Sequence, residues 1–550
     1  MIELHNGLTG RIAGLFSPQR DKTKTLVAGA ISGIASLAFS ASLAMAQFIG
    51  PSTTVDPYLL PTHADVKTAS ILTTGEKAND GYRMVGIPDG LGAFNFNKKY
   101  FKLMMNHELT NTSGIVREHG SKGAFVSEWL IERNTLEVIA GQDHAPDASY
   151  VFNYSPALQT WLEGTTAWNR FCSADLSAVS ALYFSQETKK GTGKNAKSTR
   201  QTFGTDDRIY LNGEETTGGR AWAHIVSGPF EGESWELPHL GKMAYENVVA
   251  NPFSQRKTVV MLNEDGNLST APVVGNAPSN LYVYVGNKQA NGHPIEQAGL
   301  TNGKFYGIKV IRPNKTVITE ESDAFGLGSS TLGFQHSARF DIKAIGPSGD
   351  VSGLTAVQIE QEGIDENVFR FQRVEDGAWD PRKRHEGDYY FVTTASFTGN
   401  SRLWRLRFDD IENPQNGGKI EILLKGTEGQ KMFDNIAIDT HGRIILQEDV
   451  GNQVHIGKVW LYGIDSGNLV QIAQHNPAFF DPNATDKSRF LTQDEEASGV
   501  IDAEDILGRG WFLLDVQAHK ASTDAELVEG GQLLALYVDP ALENDEDIDF

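Results

Sequence analysis

The 550-residue sequence contains a single cysteine, Cys172. A lone cysteine excludes both an intrachain disulfide and a zinc ribbon, because each of these needs more than one thiol. By default such a thiol is a small buried side chain, and the alternative is a thiolate that binds a metal.

Basic residues are scarce relative to acidic ones. The chain carries 48 lysines and arginines against 70 aspartates and glutamates, which gives a formal net charge of −22 at pH 7. This balance argues against binding to nucleic acid, whose phosphates attract a basic surface. It is compatible with a solvated exported protein and with binding of divalent or trivalent cations.

Several motifs of common enzyme classes are missing. The sequence has no Gly-x-Ser-x-Gly nucleophile elbow and no Gly-x-x-x-x-Gly-Lys phosphate-binding loop. The pair His107-Glu108 does not begin a zincin motif, because Asn111 stands where the second histidine would be needed. The chemistry of the chain must therefore come from other residues.

A long apolar run occurs near the N-terminus. Residues 1–46 combine several lysines and arginines, the apolar stretch Leu26–Leu43 and an Ala-x-Ala site that ends at Ala46. This pattern predicts a secretory signal peptide cleaved after Ala46, and a retained membrane anchor is the alternative. We therefore expect a periplasmic or secreted protein without a membrane span after cleavage.

The rest of the chain consists mostly of short β-branched or alternating segments separated by glycine turns, a pattern typical of strands. Predicted helices are few and short, namely Pro156–Glu163 and Ser177–Phe184. Glu214 and Glu264 end similar segments about 50 positions apart, a spacing that fits four-stranded propeller blades.

The sequence predicts an all-β fold, a β-propeller with inserted loops and short helices, and a β-sandwich with long insertions is the alternative. The predicted divisions are a linker at 47–65, the propeller at 66–540 with insertions at 140–205 and 312–358, and an acidic tail at 541–550.

Strands that end in acidic residues recur along the chain. The copies are Arg208–Gly219, Val259–Gly266, Arg443–Gly451 and, more loosely, Phe101–Glu108. Acids gathered at one mouth of a repeated β fold are a usual way to bind hard cations. Because successive strand residues face opposite sides, we expect only one of Glu214 and Glu215 to be a ligand.

A series of motifs in the same order resembles the PhoX-type alkaline phosphatases, an exported bacterial family. The resemblance covers about residues 65 to 540. Its motifs are Asn106-His107-Glu108, Cys172, Glu214-Glu215, Leu240–Asn247, Asn263–Asp265, Phe371–Asp376, Glu448-Asp449, Glu496–Gly499 and Asp515–His519. The chain departs from the family pattern at Tyr245 and Val374, and in a long insertion at Ala174–Asp206.

The resemblance implies a six-bladed propeller with a cluster of calcium and ferric iron at one end of its channel. Cys172 and Glu246 would bind iron, and Arg373 would bind the phosphate of the substrate. The residues that would share calcium and iron are Glu215, Asp265, Glu375, Asp449 and Glu496, and the recurring acids add Glu214 as a candidate.

The predicted function is therefore metal-dependent hydrolysis of phosphomonoesters by an exported monomer that acts on small phosphorylated substrates. Two alternatives remain open on the sequence. One keeps the propeller and its calcium but has an esterase, lactonase or phytase activity. The other is a calcium-stabilised propeller that binds a partner at the cell surface without catalysis.

Overall fold

A computed structural model describes residues 47–190, 197–266, 278–312, 314–321 and 337–542 of the chain. The signal peptide predicted at 1–46 lies outside these residues, as does nearly all of the predicted acidic tail. The strands up to residue 250 are β1 (Gln47–Ile49), β2 (Leu59–Pro61), β3 (Val66–Thr73), β4 (Pro88–Asn95), β5 (Tyr100–His107), β6 (Phe125–Glu132), β7 (Val138–Asp143), β8 (Val151–Ser155), β9 (Thr160–Glu163), β10 (Phe171–Leu176), β11 (Tyr183–Lys190), β12 (Lys197–Gly204), β13 (Ile209–Glu214), β14 (Gly219–Ile225), β15 (Ser234–Glu236), β16 (Lys242–Met243) and β17 (Tyr245–Ala250).

The second half of the chain is equally rich in strands. These strands are β18 (Lys257–Glu264), β19 (Pro278–Asn287), β20 (Lys304–Ile311), β21 (Val317–Ile318), β22 (Ser337–Ala344), β23 (Arg370–Gln372), β24 (Val374–Trp379), β25 (Asp388–Thr393), β26 (Arg402–Phe408), β27 (Gly418–Leu424), β28 (Phe433–Ile438), β29 (Arg443–Glu448), β30 (Lys458–Gly463), β31 (Leu469–His475), β32 (Glu496–Asp502), β33 (Trp511–Gln517) and β34 (Gly531–Val538).

The helices are short. The α-helices are α1 (Val179–Leu182), α2 (Pro294–Gln297), α3 (Ala356–Asp365), α4 (Pro477–Phe480) and α5 (Glu504–Leu507), and 3-10 turns occur at Ala148–Tyr150, Pro238–Leu240, Pro347–Gly349 and Pro414–Asn416. Among the described residues, none of the helices has the length and apolar character needed to cross a membrane.

Most strands belong to groups of four, and within each group neighbouring strands pair in antiparallel orientation. The first strand of each group is called its inner strand below, and the next one its second strand. The groups are β4–β7; β10, β13, β14 and β15; β17–β20; β24–β27; β28–β31; and β32, β33, β34 and β3.

The inner strands contact one another in a closed ring. β10 packs against β4 and β17, β24 packs against β17 and β28, and β32 packs against β28 and β4. The two ends of the propeller join in one group, where β3 pairs with β34 and Val66 lies opposite Val538. The predicted β-propeller is therefore confirmed. The number of blades stays a prediction, because β22 pairs with both β20 and β27 and joins two groups into one sheet.

The core lies between neighbouring groups. Leu211 of β13, Val248 of β17 and Leu262 of β18 belong to one buried cluster. Because both faces of such a middle strand are covered, its sequence is a continuous apolar run, as in Val259–Leu262, rather than an alternating one.

Both predicted helices differ from the structure. In place of the helix predicted at Pro156–Glu163, the chain forms β9, which pairs with β8. The indole of Trp161 donates a hydrogen bond of 2.7 Å to the carbonyl of Glu236, so tertiary contacts rather than local propensity set this segment. Of the helix predicted at Ser177–Phe184, α1 is present, but Tyr183 already begins β11.

The segments predicted as insertions contain regular structure. The segment 140–205 includes β10, which is an inner strand, and 312–358 includes β22. Helix α3 was missed, although its N-terminus carries a capping box in which Thr355 and Gln358 bond to each other's backbone N–H.

Candidate metal centre

Bulges in the inner strands present the side chains of the site. The register of β10 shifts between Phe171 and Ala174, and that of β17 shifts between Tyr245 and Asn247. Equivalent shifts occur in β24 and β28. A bulge sets two residues against one on the partner strand and redirects a side chain. The residues within these bulges include Cys172, Glu246, Glu375 and Asp434.

The bulge residues belong to overlapping groups of possible ligands. One oxygen or sulfur atom from each of Cys172, Glu215 and Glu246 lies within 4.8 Å of the others. The further groups within the same limit are Asp89, Glu108 and Cys172; Glu246, Glu375 and Asp434; and Asp434, Asp449 and Glu496. Because they share members, these residues form one continuous set, here called the carboxylate cluster.

Three further acids of the cluster come from one repeated position, the residue directly after a second strand, whereas Asp89 and Glu496 lie on the inner strands β4 and β32. Glu108 follows β5, Glu215 follows β13 and Asp449 follows β29. Asp265 occupies the same position after β18, but its carboxylate binds Arg373. The recurring strand-and-acid motif of the sequence therefore marks a structural position that repeats around the ring.

Glu214 lies outside the cluster, although its neighbour Glu215 lies within it. The Glu214 carboxylate accepts a hydrogen bond of 2.7 Å from Arg220 Nε and another, of 3.2 Å, from the backbone N–H of Asn169. Glu214 is the last residue of β13 and points to the opposite side from Glu215, as strand alternation requires.

Two arginines contact the acids of the site. Arg373 Nη2 lies 2.7 Å from Asp265 Oδ2 and 3.1 Å from Glu375 Oε1. Arg170 Nη2 lies 2.6 Å from both Glu108 Oε1 and Glu215 Oε2. Both side chains remain partly exposed, Arg170 at 43% and Arg373 at 30%. The acids are thus bounded by guanidinium groups that solvent can reach.

Both arginines have left-handed backbone conformations. The φ angle is 52° at Arg170 and 59° at Arg373, and each residue directly precedes an inner strand. Ile87 and Met432 have the same property before β4 and β28. Positive φ is unusual for such side chains. The entry to an inner strand is therefore a repeated, constrained position.

Burial governs the electrostatics of the cluster. It raises the pKa of Glu246, Glu375 and Asp434, and repulsion from neighbouring carboxylates raises each further. Burial likewise raises the pKa of the Cys172 thiol, whose Sγ lies 3.2 Å from Asp89 Oδ2. Without counter-charge, these groups would be held in their protonated forms.

Glu496 is the exception. Burial acts to raise its pKa, but hydrogen bonding and charge from His519 lower it overall. His519 Nε2 lies 3.5 Å from Glu496 Oε2 and its Nδ1 lies 2.9 Å from Glu529. Burial, followed by the charge of Glu496, raises the pKa of Asp449 to about 7.

The donor set fits hard cations. Carboxylate oxygens, which predominate in the cluster, are the ligands that calcium prefers, and one thiol adds a soft donor suited to iron. Glu246 Oε1 is buried and accepts no hydrogen bond from the described part of the chain. A buried carboxylate oxygen without a partner is costly unless a cation or proton compensates it.

Sequence reasoning missed Asp89, Asp434 and the contacts of Arg170 with the cluster, and it gave Glu108 only as part of a motif. A signal was available for Asp434. Phe433–Ile436 repeats the order of Tyr245–Val248, in which an acid and an asparagine stand between apolar residues. Phe171–Ala174 has cysteine and serine at these two positions.

A further group of possible ligands, Asp380, His385 and Asp388, lies apart from the cluster. Arg382 Nη2 lies 2.9 Å from Asp380, and Arg407 Nη2 lies 2.6 Å from Asp388. Because arginines already neutralise both carboxylates, this group needs no cation.

Comparisons with known proteins give similarity in structure only. No protein-family model matches the sequence, and no curated protein matches it either. The structure of Pseudomonas fluorescens PhoX in complex with vanadate, a transition state analogue, matches with a TM-score of 0.56. That match has 11% sequence identity and covers 88% of this chain and 95% of that chain. It agrees with the propeller fold seen here.

Two other solved structures match much less well. XC5397, a gluconolactonase from Xanthomonas campestris, has a TM-score of 0.23 and 11% identity, over 60% of this chain and 82% of that one. The exo-β-1,3-galactanase 1,3Gal43A from Clostridium thermocellum has a TM-score of 0.27 and 10% identity, over 66% of this chain and 61% of that one.

Proposed function

We propose that the chain is an exported, metal-dependent phosphatase that hydrolyses phosphomonoesters at the carboxylate cluster. The observation that supports this most directly is the convergence of Cys172 and Glu246, with Arg373 bound to the neighbouring Glu375. The fold likeness to a phosphatase solved with vanadate adds support. Export, to the periplasm or beyond the cell, rests on the signal peptide pattern at 1–46.

The proposed metals are calcium and ferric iron. Cys172 and Glu246 would bind iron, and the surrounding carboxylates would hold calcium and iron together. Those carboxylates are Asp89, Glu108, Glu215, Glu375, Asp434, Asp449 and Glu496. Bound there, the cations would supply Lewis-acid stabilisation of charge on phosphate oxygens.

The chain's own part in the reaction is to bind and orient the phosphate. Asp265 holds Arg373 through Nε at 3.0 Å and Nη2 at 2.7 Å. No described residue forms a hydrogen bond with Arg373 Nη1, so this nitrogen can donate to phosphate oxygens. Phosphoryl transfer depends mostly on such positioning and charge stabilisation.

The test is hydrolysis of p-nitrophenyl phosphate at alkaline pH by protein purified without chelator. We expect turnover by the wild type, loss on treatment with EGTA and recovery on adding calcium. The variant Cys172→Ala should lose iron and lower turnover by more than about 100-fold, because it removes a direct ligand.

The control variant is Arg339→Ala, which removes an exposed arginine of β22 that pairs with Asp409. It should keep both metals and full turnover. A wild-type protein that holds calcium but no iron, and shows no turnover, would contradict the proposal. Assays with esters, lactones and phytate would then decide among the other activities.

A further inference from the structure

We propose that Arg170 is a second oxyanion-binding residue of the site, so that one phosphoryl group is bound between two guanidinium groups. The inference deepens the proposed function and rests on it for the identity of the substrate. The choice of residue rests on the geometry of Arg170 and on its equivalence to Arg373 in the repeat.

Arg170 and Arg373 occupy equivalent positions in the repeat. Arg170 directly precedes inner strand β10 and Arg373 directly precedes inner strand β24, both with positive φ. The inner strand between them in the ring, β17, is preceded by Ala244. The two arginine positions are therefore separated in the ring by one that carries only a methyl group. Arg170 contacts Glu215 and Arg373 contacts Glu375, and each of these carboxylates has an oxygen within 4.8 Å of a Glu246 oxygen.

The two arginines also make equivalent contacts. Arg170 Nε lies 2.7 Å from Glu108, the acid that follows the second strand of the preceding group. Arg373 Nε contacts Asp265, which likewise follows the second strand of the group before it. The second carboxylate comes from the arginine's own group, Glu215 for Arg170 and Glu375 for Arg373. In both cases Nε and Nη2 bind the protein.

In both arginines the Nη1 atom remains available to bind a ligand. Within the described part of the chain, neither Nη1 of Arg170 nor Nη1 of Arg373 donates a hydrogen bond. A guanidinium that is fixed along one edge presents its remaining N–H groups in a defined direction, which suits a planar pair of phosphate oxygens. Fixing the side chain beforehand also lowers the entropy lost on binding.

A purely structural role for Arg170 would be to neutralise Glu108 and Glu215. Substitution by lysine separates the two roles, because Arg170→Lys keeps a positive charge beside these acids but removes Nη1. Its control is Arg339→Ala, whose arginine is 47% exposed and lies 2.6 Å from Asp409, outside the cluster.

The experiment measures binding of inorganic phosphate and of orthovanadate to the metal-loaded protein by calorimetry, with metal content determined on the same samples. We expect Arg170→Lys and Arg170→Ala to weaken binding of both anions by about 10- to 100-fold, the range for losing hydrogen bonds to a charged group. Metal content should be unchanged in the lysine variant, and the control should bind as the wild type does.

Wild-type affinity in Arg170→Lys at full metal content would overturn the inference. So would a loss of affinity that only follows a loss of metal, because Arg170 would then serve to hold Glu108 and Glu215. Failure of the wild type to bind either anion would overturn it too. If the wild type binds phosphate but hydrolyses no phosphomonoester, the proposed function fails while the binding role of Arg170 stands.

Discussion

At the scale of single residues, neighbours in sequence have separate roles. Glu215 belongs to the carboxylate cluster, whereas Glu214 is held by Arg220 on the other side of the strand. Alternation along β13 decides between them, so the sequence could predict that only one is a ligand but not which one.

The two glutamates should therefore respond differently to substitution. We expect Glu215→Gln to lose bound metal and turnover, because it removes a cluster donor. We expect Glu214→Gln to keep its metal but to lower the free energy of unfolding by about 1–2 kcal/mol, because Arg220 loses its charged partner. Elemental analysis and thermal unfolding measure the two effects, and metal loss in both variants would contradict this assignment.

Cys172 illustrates how much of the site the sequence could give. The order of motifs placed Cys172, Glu246 and Glu375 in one site, and the structure brings these residues together through overlapping ligand groups. Asp89 could not be found in the same way, because it lies at the start of β4 without an acid pair or a strong local motif. Its proximity depends on packing of β4 against β10.

At the scale of elements, the strands supply more than a scaffold. In the group β4–β7, a buried charged network joins β5, β6 and the residue directly after β7: Lys102 Nζ lies 3.1 Å from Glu128 Oε2, and His144 Nδ1 lies 2.8 Å from Glu128 Oε1. Burial acts to raise the pKa of Glu128, but the charge of Lys102 and the contact with His144 lower it from 4.5 to about 2.

This lowered pKa predicts a pH dependence of stability. The ionised Glu128 stabilises the folded state above its unfolded pKa of 4.5, and this contribution falls as pH drops toward about 2. Between about pH 5 and pH 3.5, the wild type should lose about 1 kcal/mol more unfolding free energy than Glu128→Gln. Urea unfolding at the two pH values measures this, and equal losses in both proteins would refute it.

Whether a strand or helix was predicted correctly depended on how regularly apolar residues recur in its sequence. Long apolar strands such as β18 were identified, because burial on both faces gives an uninterrupted run. The strand β9 was mistaken for a helix, because its pairing with β8 and the contact between Trp161 and Glu236 are set by tertiary structure. The inner-strand bulges could not be predicted at all, since they are defined by register between strands.

At the scale of the whole molecule, one group of four strands combines β3, from the start of the propeller, with β32, β33 and β34 from its end. β34 lies between β3 and β33 and buries Leu534, Leu536 and Val538. Removing β34 would expose these side chains and leave two strand edges unpaired, at a cost of about 1.5–3 kcal/mol for each large apolar side chain.

Truncation tests this dependence. A chain that ends at Gly530 should lose cooperative thermal unfolding and aggregate, because the loss approaches the whole stability of a typical domain, about 5–15 kcal/mol. The matched control ends at Leu542 and retains β34. Circular dichroism and size-exclusion chromatography report both outcomes, and a soluble, cooperatively unfolding shorter chain would show that the ring does not need this strand.

Closure of the ring also sets the order of events in biogenesis. The cluster draws its donors from along nearly the whole propeller, from Asp89 to Glu496, and the ring closes only when β34 meets β3. A nascent chain therefore lacks a closed ring around the cluster until β34 has been synthesised. If the chain is translocated before it folds, the cations proposed for the cluster would be acquired last, from the medium outside the cytoplasm, and their supply there would set how much metal-loaded protein forms.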